Sequence, residues 1–284
     1  MKNIIISNSQ KVKKLIDNFK KQGHKKMHVL SDFDRTLTYA FIEGEKVPSI
    51  ISILRSNDKC LGENYSKAAY KLYNKYHPIE INQKISFEDK KEKMREWWQA
   101  HFDLLVKSGL TKNHLNEILA SNKLKFRKGA LEFFDLLNKY NIPLVVISSS
   151  GVGNHIISML FKKANKLYPN IYIISNSLVW DKEGKVIDIK QPVIHCLNKD
   201  ETVLKNFPFY NEVEQRKNVL LLGDNLEDIK MIEGFNYDNL LKIGFLNESA
   251  DAQLEIYKKH YDILALNDSS MEFINEILIK IIKD

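Results

Sequence analysis

The chain has 284 residues, 44% of them hydrophobic, and 43 basic against 36 acidic residues give a formal charge of +7. These values are ordinary for a soluble globular protein of one large domain, or of one domain with an insertion. The basic residues are spread along the chain without an arginine-rich block, so no nucleic-acid surface is predicted. With two cysteines and no apolar run that could span a bilayer, we expect a reduced, cytoplasmic protein without a membrane partner.

An apolar strand followed by two acids stands near the N-terminus. Residues 27–38 read M-H-V-L-S-D-F-D-R-T-L-T, which predicts a short buried strand ending in Asp32 and Asp34. Side chains two apart in an extended segment point the same way, so these carboxylates share a side. Like charges this close repel unless one keeps a proton or a cation lies between them, and a bound metal is the simplest remedy. Because D-x-D alone is common by chance, this interpretation depends on motifs elsewhere.

Helical patterns replace strand patterns over residues 41–122. Ser86 and Thr111 are predicted to be the N-caps of two helices in this stretch. Strand patterns resume only beyond it. We therefore predict a helical insertion, a cap, that closes over a site built by residues 1–40 and 123–284.

One long helix of this insertion carries Tyr65 to Tyr76 at helical spacing. Proline lacks a backbone N–H and disfavours a continuing helix, so Pro78 is predicted to end it. Glu80 is then expected on a loop between two cap helices.

A serine-rich turn follows the first strong strand after the insertion. The apolar strand predicted over residues 142–147 runs into S-S-S-G-V-G and then a helix. Free N–H groups at a helix start make an anion cradle, to which the hydroxyls of Ser149 and Ser150 add donors. A plain tight turn is the alternative interpretation of this stretch alone.

Two later stretches also end in charged residues. A short apolar stretch that begins at Val193 ends at Lys199, which we expect at a strand end. A buried strand predicted over residues 218–222 is followed by G-D-N-L-E-D, which holds Asp224 and Asp228, and then by a helix.

Further strands are predicted over residues 171–175, 240–245 and 261–266, with a hairpin over 179–186. Strands that alternate with helices predict an α/β fold with a doubly wound, Rossmann-like parallel sheet. In such sheets ligands bind at the carboxyl ends of the strands.

These charged and hydroxyl side chains stand in an order that resembles the four motifs of the haloacid dehalogenase superfamily. In chain order they are Asp32 with Asp34, Ser149, Lys199, and Asp224 with Asp228. Three stretches, V-I-H-C-L-N-K at 193–199, L-L-G-D-N-L-E-D at 221–228 and Y-H-P-I-E at 76–80, resemble the cytosolic 5'-nucleotidases that act on pyrimidine nucleotides or on 7-methylguanosine monophosphate. The resemblance implies a haloacid dehalogenase-like core with a helical cap and a phosphoric monoester hydrolase activity.

The resemblance also implies roles for the acids. Asp32 attacks phosphorus to form an aspartyl-phosphate that water releases, while Asp34 protonates the leaving 5'-oxygen and later activates that water. Mg²⁺ is the implied cofactor, held by Asp32, by Asp224 and by the Asp34 backbone carbonyl. Asp228 supports the site, either through a water on the metal or by orienting Lys199.

The resemblance assigns phosphate binding to other residues. Lys199 places a positive charge on the phosphoryl oxygens, and Ser149 and Ser150 hold the remaining ones. A small nucleoside monophosphate is therefore the expected partner, bound by a monomer.

Substrate choice is expected in the cap. Glu80 matches the position that recognises the base in these nucleotidases, and a carboxylate suits amino or imino donors on a base edge. Trp98 and His101 lie three apart on one predicted helix, so both could flank the same base. Tryptophan favours a cationic ring such as 7-methylguanine, whereas some pyrimidine-preferring relatives carry a smaller polar residue at the place of His101. The sequence leaves the preferred base open.

Two alternatives accompany the nucleotidase hypothesis. One is a phosphatase of the same superfamily that acts on another small phosphate ester, such as phosphoserine or a sugar phosphate. The other is a protein that keeps the fold and binds nucleotides without catalysis.

Overall fold

The computed structural model describes residues 3–82, 84–199, 207–233 and 236–283. Its α-helices are α1 Ser9–Gln22, α2 Ile50–Ser56, α3 Asp58–Leu61, α4 Glu63–Ile81, α5 Phe87–Lys107, α6 Lys112–Ala120, α7 Ala130–Lys139, α8 Asn154–Lys163, α9 Tyr210–Glu214, α10 Ala250–His260 and α11 Glu272–Ile282. Its strands are β1 Ile4–Ile6, β2 Met27–Ser31, β3 Phe41–Ile42, β4 Glu45–Lys46, β5 Leu144–Ile147, β6 Ile171–Ile174, β7 Leu178–Trp180, β8 Val186–Ile189, β9 Asn218–Gly223, β10 Asn239–Leu246 and β11 Ile263–Leu266. Within these ranges, no helix combines the length and the apolar composition needed to cross a bilayer.

Seven of the described strands form one sheet in the order β1-β11-β10-β9-β2-β5-β6. The strands from β11 to β6 run parallel, which confirms the predicted α/β fold. At the edge, β1 pairs antiparallel with β11. Strand β1 was not predicted, because three apolar residues carry too little periodicity to identify a strand. The hairpin predicted over residues 179–186 is confirmed as β7 and β8.

Apolar cores lie on both faces of this sheet. Along β9, Leu220 and Leu222 belong to one buried cluster with residues of α1, α7, α8 and α11, whereas Val219 and Leu221 belong to a second with residues of α9 and α10. Successive side chains of a strand point to opposite faces, so helices cover the sheet on both sides. The central strands therefore read as continuous apolar runs, and their ends are the places where polar side chains emerge.

Helices α2 to α6 and the small β3–β4 hairpin fill the stretch between β2 and residue 122, and no strand of the large sheet comes from its described residues. Ser86 accepts the Asp89 N–H at 3.1 Å, and Thr111 accepts the His114 N–H at 3.4 Å, so both predicted N-caps are confirmed. The division of the chain into a core and a cap stays a prediction.

The prediction that Pro78 ends its helix is wrong. Helix α4 runs through Pro78 to Ile81. A proline removes one N–H and crowds the carbonyl four residues earlier, so α4 lacks one hydrogen bond at this point but still continues for three residues. Glu80 therefore lies on the last turn of α4 and not on a loop.

Lys199 does not follow a strand, which corrects a second prediction. Residues 190–199 form an irregular segment. The side-chain amides of Asn176 and Asn198 hydrogen-bond its backbone groups over distances from 2.7 to 2.9 Å. Side chains thus satisfy the polar backbone groups that a strand would pair in a ladder, so the apolar pattern did not produce one.

Candidate active site

Three neighbouring strands deliver polar side chains to one edge of the sheet. β2 lies between β9 and β5, and the registers place the ends of all three side by side. Asp32 and Asp224 directly follow β2 and β9, and Ser149 follows β5 by two residues. These side chains meet in a cavity of 230 Å³, which we name the acidic cavity, lined by Asp32, Asp34, Ser149, Lys199, Asp224 and Asp228. The carboxyl edge of the sheet is therefore the candidate site, as the fold predicts.

Lys199 is the centre of a buried ion-pair network. Its Nζ lies 2.5 Å from Asp32 Oδ1 and 3.3 Å from Asp228 Oδ1. The Thr36 hydroxyl donates to Asp32 Oδ2 at 3.4 Å. Asp32, Lys199 and Asp228 are all buried, so these pairs are weakly screened by solvent. Residues far apart in the chain thus converge on the Asp32 carboxylate.

Burial dominates the electrostatics of this network. It raises the pKa of Asp32 to about 7, although the Lys199 ammonium opposes the shift, and it raises the pKa values of Asp34 and Asp224. Burial lowers the pKa of Lys199, but Asp32 and Asp228 outweigh this effect and the pKa is raised. The ammonium group therefore stays charged. Five carboxyl groups line this cavity, against two cationic groups, those of Lys199 and Arg35, so the cavity favours either bound protons or an additional cation.

The residues of the acidic cavity fit a divalent cation. One carboxylate oxygen from each of Asp32, Asp224 and Asp228 lies within 4.8 Å of the other two. Mg²⁺ prefers such hard oxygen ligands, and a cation here would relieve the repulsion between the carboxylates. The Asp34 side chain is outside this group of three, and the resemblance assigns only its backbone carbonyl to the metal.

The loop after β9 is held by its own side chains. Asp228 Oδ2 accepts the N–H groups of Asp224 at 3.1 Å and of Asn225 at 3.0 Å. Asn225 is the N-cap of a 3-10 helix, Leu226–Ile232. A helix was predicted in this stretch, and the structure shows that it is of the 3-10 type. Asp228 thus holds both Lys199 and the backbone that carries Asp224.

Two tyrosines fix the same loop from outside. The Tyr257 hydroxyl donates to the Asp224 carbonyl at 3.0 Å, and the Tyr261 hydroxyl donates to the Asn225 carbonyl at 2.5 Å. A Cβ at Gly223 would lie 2.5 Å from the Asp228 Cβ and 2.9 Å from the Tyr261 hydroxyl. Glycine is therefore required at this position for the loop to approach so closely.

The serine turn lies against both the acidic cavity and a neighbouring one. Ser149 lines both cavities, whereas Ser150 is buried and lines only the neighbour. The Ser150 N–H donates to the Ser148 hydroxyl at 3.1 Å. That N–H is therefore engaged within the turn, and the Ser149 hydroxyl is the more accessible donor.

The neighbouring cavity, which we name the aromatic cavity, has a volume of 420 Å³. Side chains of α2, α4 and α5 line much of it, among them Arg55, Tyr73, His77, Glu80, Trp97 and Trp98. It shares Asp34, Arg35, Ser49 and Ser149 with the acidic cavity, so the two adjoin. A ligand could place a charged group in the first and a ring in the second.

Glu80 is positioned by two partners. His77 Nδ1 lies 2.9 Å from one carboxylate oxygen, and the Cys196 thiol donates to the other at 3.6 Å. Burial and the neighbouring Glu80 carboxylate raise the pKa of the Cys196 thiol to about 12, so Cys196 stays a neutral donor. Cys196 belongs to the irregular segment that ends at Lys199. This segment therefore lines the acidic cavity and also holds a residue of the aromatic one.

The rings of Trp98 and His101 meet edge to face, with centroids 5.6 Å apart, but they differ in what else they contact. Trp98 lines the aromatic cavity, but His101 is 2% exposed and lines neither cavity. Its Nε2 lies 2.7 Å from the Gly151 carbonyl, which can only accept, so Nε2 carries a proton. Burial lowers the pKa of His101 to about 4, so the ring is neutral. Positions three apart differ by about 60° around a helix axis, so one ring can face the cavity while the other is buried.

Several residues that line the two cavities were not predicted from the sequence. Tyr73 stood in the apolar pattern of α4, but its ring stacks on His77 with centroids 4.6 Å apart at the cavity wall. The i, i+4 spacing of these two rings was the available signal. Trp97 and Arg55 carried no recognisable motif. Arg35, inside the first motif, lines both cavities.

Arg127 is a further residue without a motif. It is 1% exposed, pairs with Asp268 at 2.7 Å and lies 4.4 Å from the Phe245 ring centroid. Its guanidinium also donates to an amide side chain and to backbone carbonyls, those of Asn247, Arg35, Thr36, Thr38 and Ser269. It thereby fixes the loop that follows Asp34.

The sheet and its acidic edge define a class of protein, the haloacid dehalogenase-like phosphatases. A phosphoserine phosphatase solved with its substrate matches with a TM-score of 0.51 at 17% identity, over 88% of this chain and 96% of that one, which shows the shared fold. A solved cytosolic 5'-nucleotidase IIIB bound to cytidine matches with a TM-score of 0.84 at 30% identity, over 99% of this chain and 93% of that one.

The sequence comparisons narrow this class. The pattern of the pyrimidine 5'-nucleotidase (UMPH-1) family matches residues 35–282. The 7-methylguanosine phosphate-specific 5'-nucleotidase of Gallus gallus is 34% identical over 96% of this chain and 94% of its own length. The Homo sapiens protein of the same name is 31% identical over 97% and 91%. The chain belongs to the pyrimidine 5'-nucleotidase (UMPH-1) family, which confirms the predicted resemblance and makes it a phosphoric monoester hydrolase.

Proposed function

We propose that this protein is a magnesium-dependent 5'-nucleotidase that hydrolyses nucleoside 5'-monophosphates to nucleoside and phosphate. The observation that carries the proposal is that the acidic cavity adjoins the aromatic cavity. The volume of the aromatic cavity, 420 Å³, falls in the range of small-molecule sites, about 300–1,000 Å³. A phosphate suits the first cavity and a base the second.

Asp32 is the proposed nucleophile. Its carboxylate oxygen forms a bond to phosphorus as the bond from phosphorus to the 5'-oxygen breaks, which leaves an aspartyl-phosphate. Lys199, 2.5 Å from Asp32, offers its ammonium group to the phosphoryl oxygens and opposes the repulsion between two anions. Ser149 holds another phosphoryl oxygen, with Ser150 next to it in the turn.

Asp34 is the proposed acid and base. Burial raises its pKa, which favours the protonated form needed to protonate the leaving 5'-oxygen. The resulting carboxylate then takes a proton from water, and the water oxygen attacks phosphorus and releases phosphate from Asp32. Arg127 supports this step because it fixes the loop on which Asp34 stands.

Mg²⁺ would be held by Asp32, Asp224 and the Asp34 backbone carbonyl, with Asp228 in support. When bound, it neutralises charge on the carboxylates and on the phosphoryl oxygens. Asp228 keeps the Asp224 backbone and Lys199 in place through its two oxygens.

Residues 41–122 are the proposed cap, open for substrate entry and closed for chemistry. Glu80 accepts hydrogen bonds from amino or imino groups of the base, and Trp98, with Trp97 beside it, offers a ring for stacking. His101 is proposed to act on the base only indirectly, by joining α5 to the serine turn.

The candidate substrates are CMP, UMP and 7-methyl-GMP. Relatives named 7-methylguanosine phosphate-specific 5'-nucleotidase and a solved relative bound to cytidine support both base types. We further propose that the protein acts as a monomer and that it lies in the cytoplasm. The name of that solved relative, a cytosolic 5'-nucleotidase, supports the second proposal.

Phosphate release from CMP, UMP and 7-methyl-GMP, with Mg²⁺ and with a chelator, tests the proposal. We expect at least one nucleotide to be hydrolysed with Mg²⁺ and none with the chelator. Phosphoserine and a sugar phosphate belong in the same assay, because faster turnover of either would favour the alternative phosphatase. Nucleotide binding without turnover would favour a non-catalytic binding protein.

A further inference from the structure

Arg55 places a positive charge at the wall of the aromatic cavity. It lies on the last turn of α2 and is half-buried. Its Nη2 donates to the Ser52 hydroxyl at 3.0 Å, and it forms no ion pair with a carboxylate in the described part of the chain. A cation without a carboxylate partner beside a ligand cavity is free to act on whatever enters it.

Arg55 also covers one face of Tyr73. Its Cζ lies 4.1 Å from the Tyr73 ring centroid, and the His77 ring stacks on Tyr73 at 4.6 Å with an interplanar angle of 16°. Two groups at these separations cannot share one ring face, so Arg55 and His77 lie on opposite faces. A bound base must therefore stack on another ring, and Trp97 and Trp98 are the other aromatic residues of the cavity wall.

Arg55 and Glu80 present opposite chemistry to such a base. Both line the cavity, and one offers guanidinium donors while the other offers carboxylate acceptors. Uracil, cytosine and 7-methylguanine each carry a carbonyl oxygen for the first and an imino or amino group for the second, but uracil and cytosine are neutral. The 7-methylguanine ring carries a positive charge, which Arg55 repels at the short distances inside a cavity.

We infer that Arg55 is a specificity-determining residue that favours the neutral bases uracil and cytosine over the positively charged base of 7-methyl-GMP. The inference rests on the proposed 5'-nucleotidase function. It gives this chain a different preference from the one in the names of its relatives in Gallus gallus and Homo sapiens.

The test compares kcat/KM for UMP, CMP and 7-methyl-GMP in four proteins: the wild type, Arg55→Met, Arg55→Lys and Arg95→Met. Arg55→Met removes the charge and keeps much of the length, and Arg55→Lys keeps the charge. Arg95→Met is the matched control, since Arg95 is exposed on α5 and lines neither cavity.

We expect Arg55→Met to raise the ratio of kcat/KM for 7-methyl-GMP to that for UMP by about tenfold, which corresponds to about 1.4 kcal/mol. The change should lie mainly in KM, because Arg55 does not line the acidic cavity. The ratio for Arg55→Lys should lie closer to the wild-type ratio than the ratio for Arg55→Met does. Arg95→Met should leave the ratio unchanged. Competitive inhibition by uridine and by 7-methylguanosine, which needs no chemistry on the inhibitor, should shift in the same direction.

A ratio for Arg55→Met within twofold of the wild type, with unchanged inhibition constants, would overturn the inference and leave the nucleotidase proposal intact. A wild type that hydrolyses none of the three nucleotides would overturn the nucleotidase proposal, and the inference with it. If Arg55→Met does not fold, Arg55→Gln replaces it with the same expected direction.

Discussion

The acidic and aromatic cavities adjoin, but they are built in different ways. The acidic cavity takes its charged side chains from segments beyond the strand ends, and three of them, Asp32, Lys199 and Asp228, are buried and bonded to one another. The aromatic cavity takes its side chains from helix surfaces, where partly exposed rings such as Tyr73 and Trp97 contact each other.

This difference teaches where each kind of change is tolerated. In a network of buried charges, the loss of one member leaves its partners unpaired in a medium of low polarity. In the aromatic cavity the side chains are partly exposed, so the neighbours of a changed side chain remain in contact with water. A single change there should alter ligand affinity at a smaller cost in stability. We therefore expect changes in the acidic cavity to abolish activity and changes in the aromatic cavity to redirect it.

The largest effect is expected for Asp32→Asn. The amide cannot attack phosphorus, so kcat should fall by about 10³-fold or more, which is about 4 kcal/mol in the activation barrier. Nucleotide affinity should persist, because the aromatic cavity is unchanged. Phosphate release measures the first quantity and titration calorimetry the second.

Asp262→Asn is the matched control for this variant. Asp262 is also buried and paired with a lysine, Lys11 at 2.6 Å, but it lines neither cavity. It should lose stability and keep its kcat. Equal losses of kcat in the two variants would show that Asp32 matters only for folding.

A smaller and more selective effect is expected for Glu80→Gln. Loss of charged hydrogen bonds to a base, about 1.5–3 kcal/mol, should lower kcat/KM for nucleotides by about tenfold to 150-fold. Hydrolysis of p-nitrophenyl phosphate, which has no base edge, should be unchanged.

Glu96→Gln makes the same chemical change on α5 at a carboxylate that lines neither cavity, and it should affect neither substrate. A parallel loss for nucleotides and p-nitrophenyl phosphate in Glu80→Gln would place Glu80 in the chemistry rather than in base recognition.

The smallest effect concerns His101, which joins the two regions. Unfolded histidine binds a proton near pH 6.5, whereas burial lowers the folded pKa of His101 to about 4. The unfolded state therefore binds more protons between these values, and the stability that this residue contributes falls as the pH falls through that range. The stability advantage of the wild type over His101→Gln should shrink by about 2 kcal/mol from pH 7 to pH 5.

The buried carboxyl groups also respond to pH, with the opposite sign, but they are present in both proteins and cancel in the difference. Urea unfolding at the two pH values measures the change. A stability difference between the wild type and His101→Gln that stays constant between the two pH values would mean that the His101 ring is not buried as a neutral group.

Much of the fold could be predicted from the sequence because the information is local. The apolar runs of β2 and β9 are too short for helices and end in aspartates, and strands that alternate with helices require a parallel sheet. The loop position of Lys199 could not be predicted, because Asn176 and Asn198 provide its backbone hydrogen bonds from a distance. The continuation of α4 through Pro78 could not be predicted either, because a proline disfavours a helix but does not by itself fix the residue at which the helix ends.

By itself, the sequence determined the order of the motifs, the sheet they imply and the family to which the chain belongs, because strand ends and short motifs depend on neighbours in the chain. Only the tertiary structure decided that Asp228 holds Lys199, that His101 contacts Gly151 and lines neither cavity, and that Arg55 lies over the Tyr73 ring. The reason is physical: burial and pairing are properties of groups brought together from distant segments, and no local pattern records which of them meet.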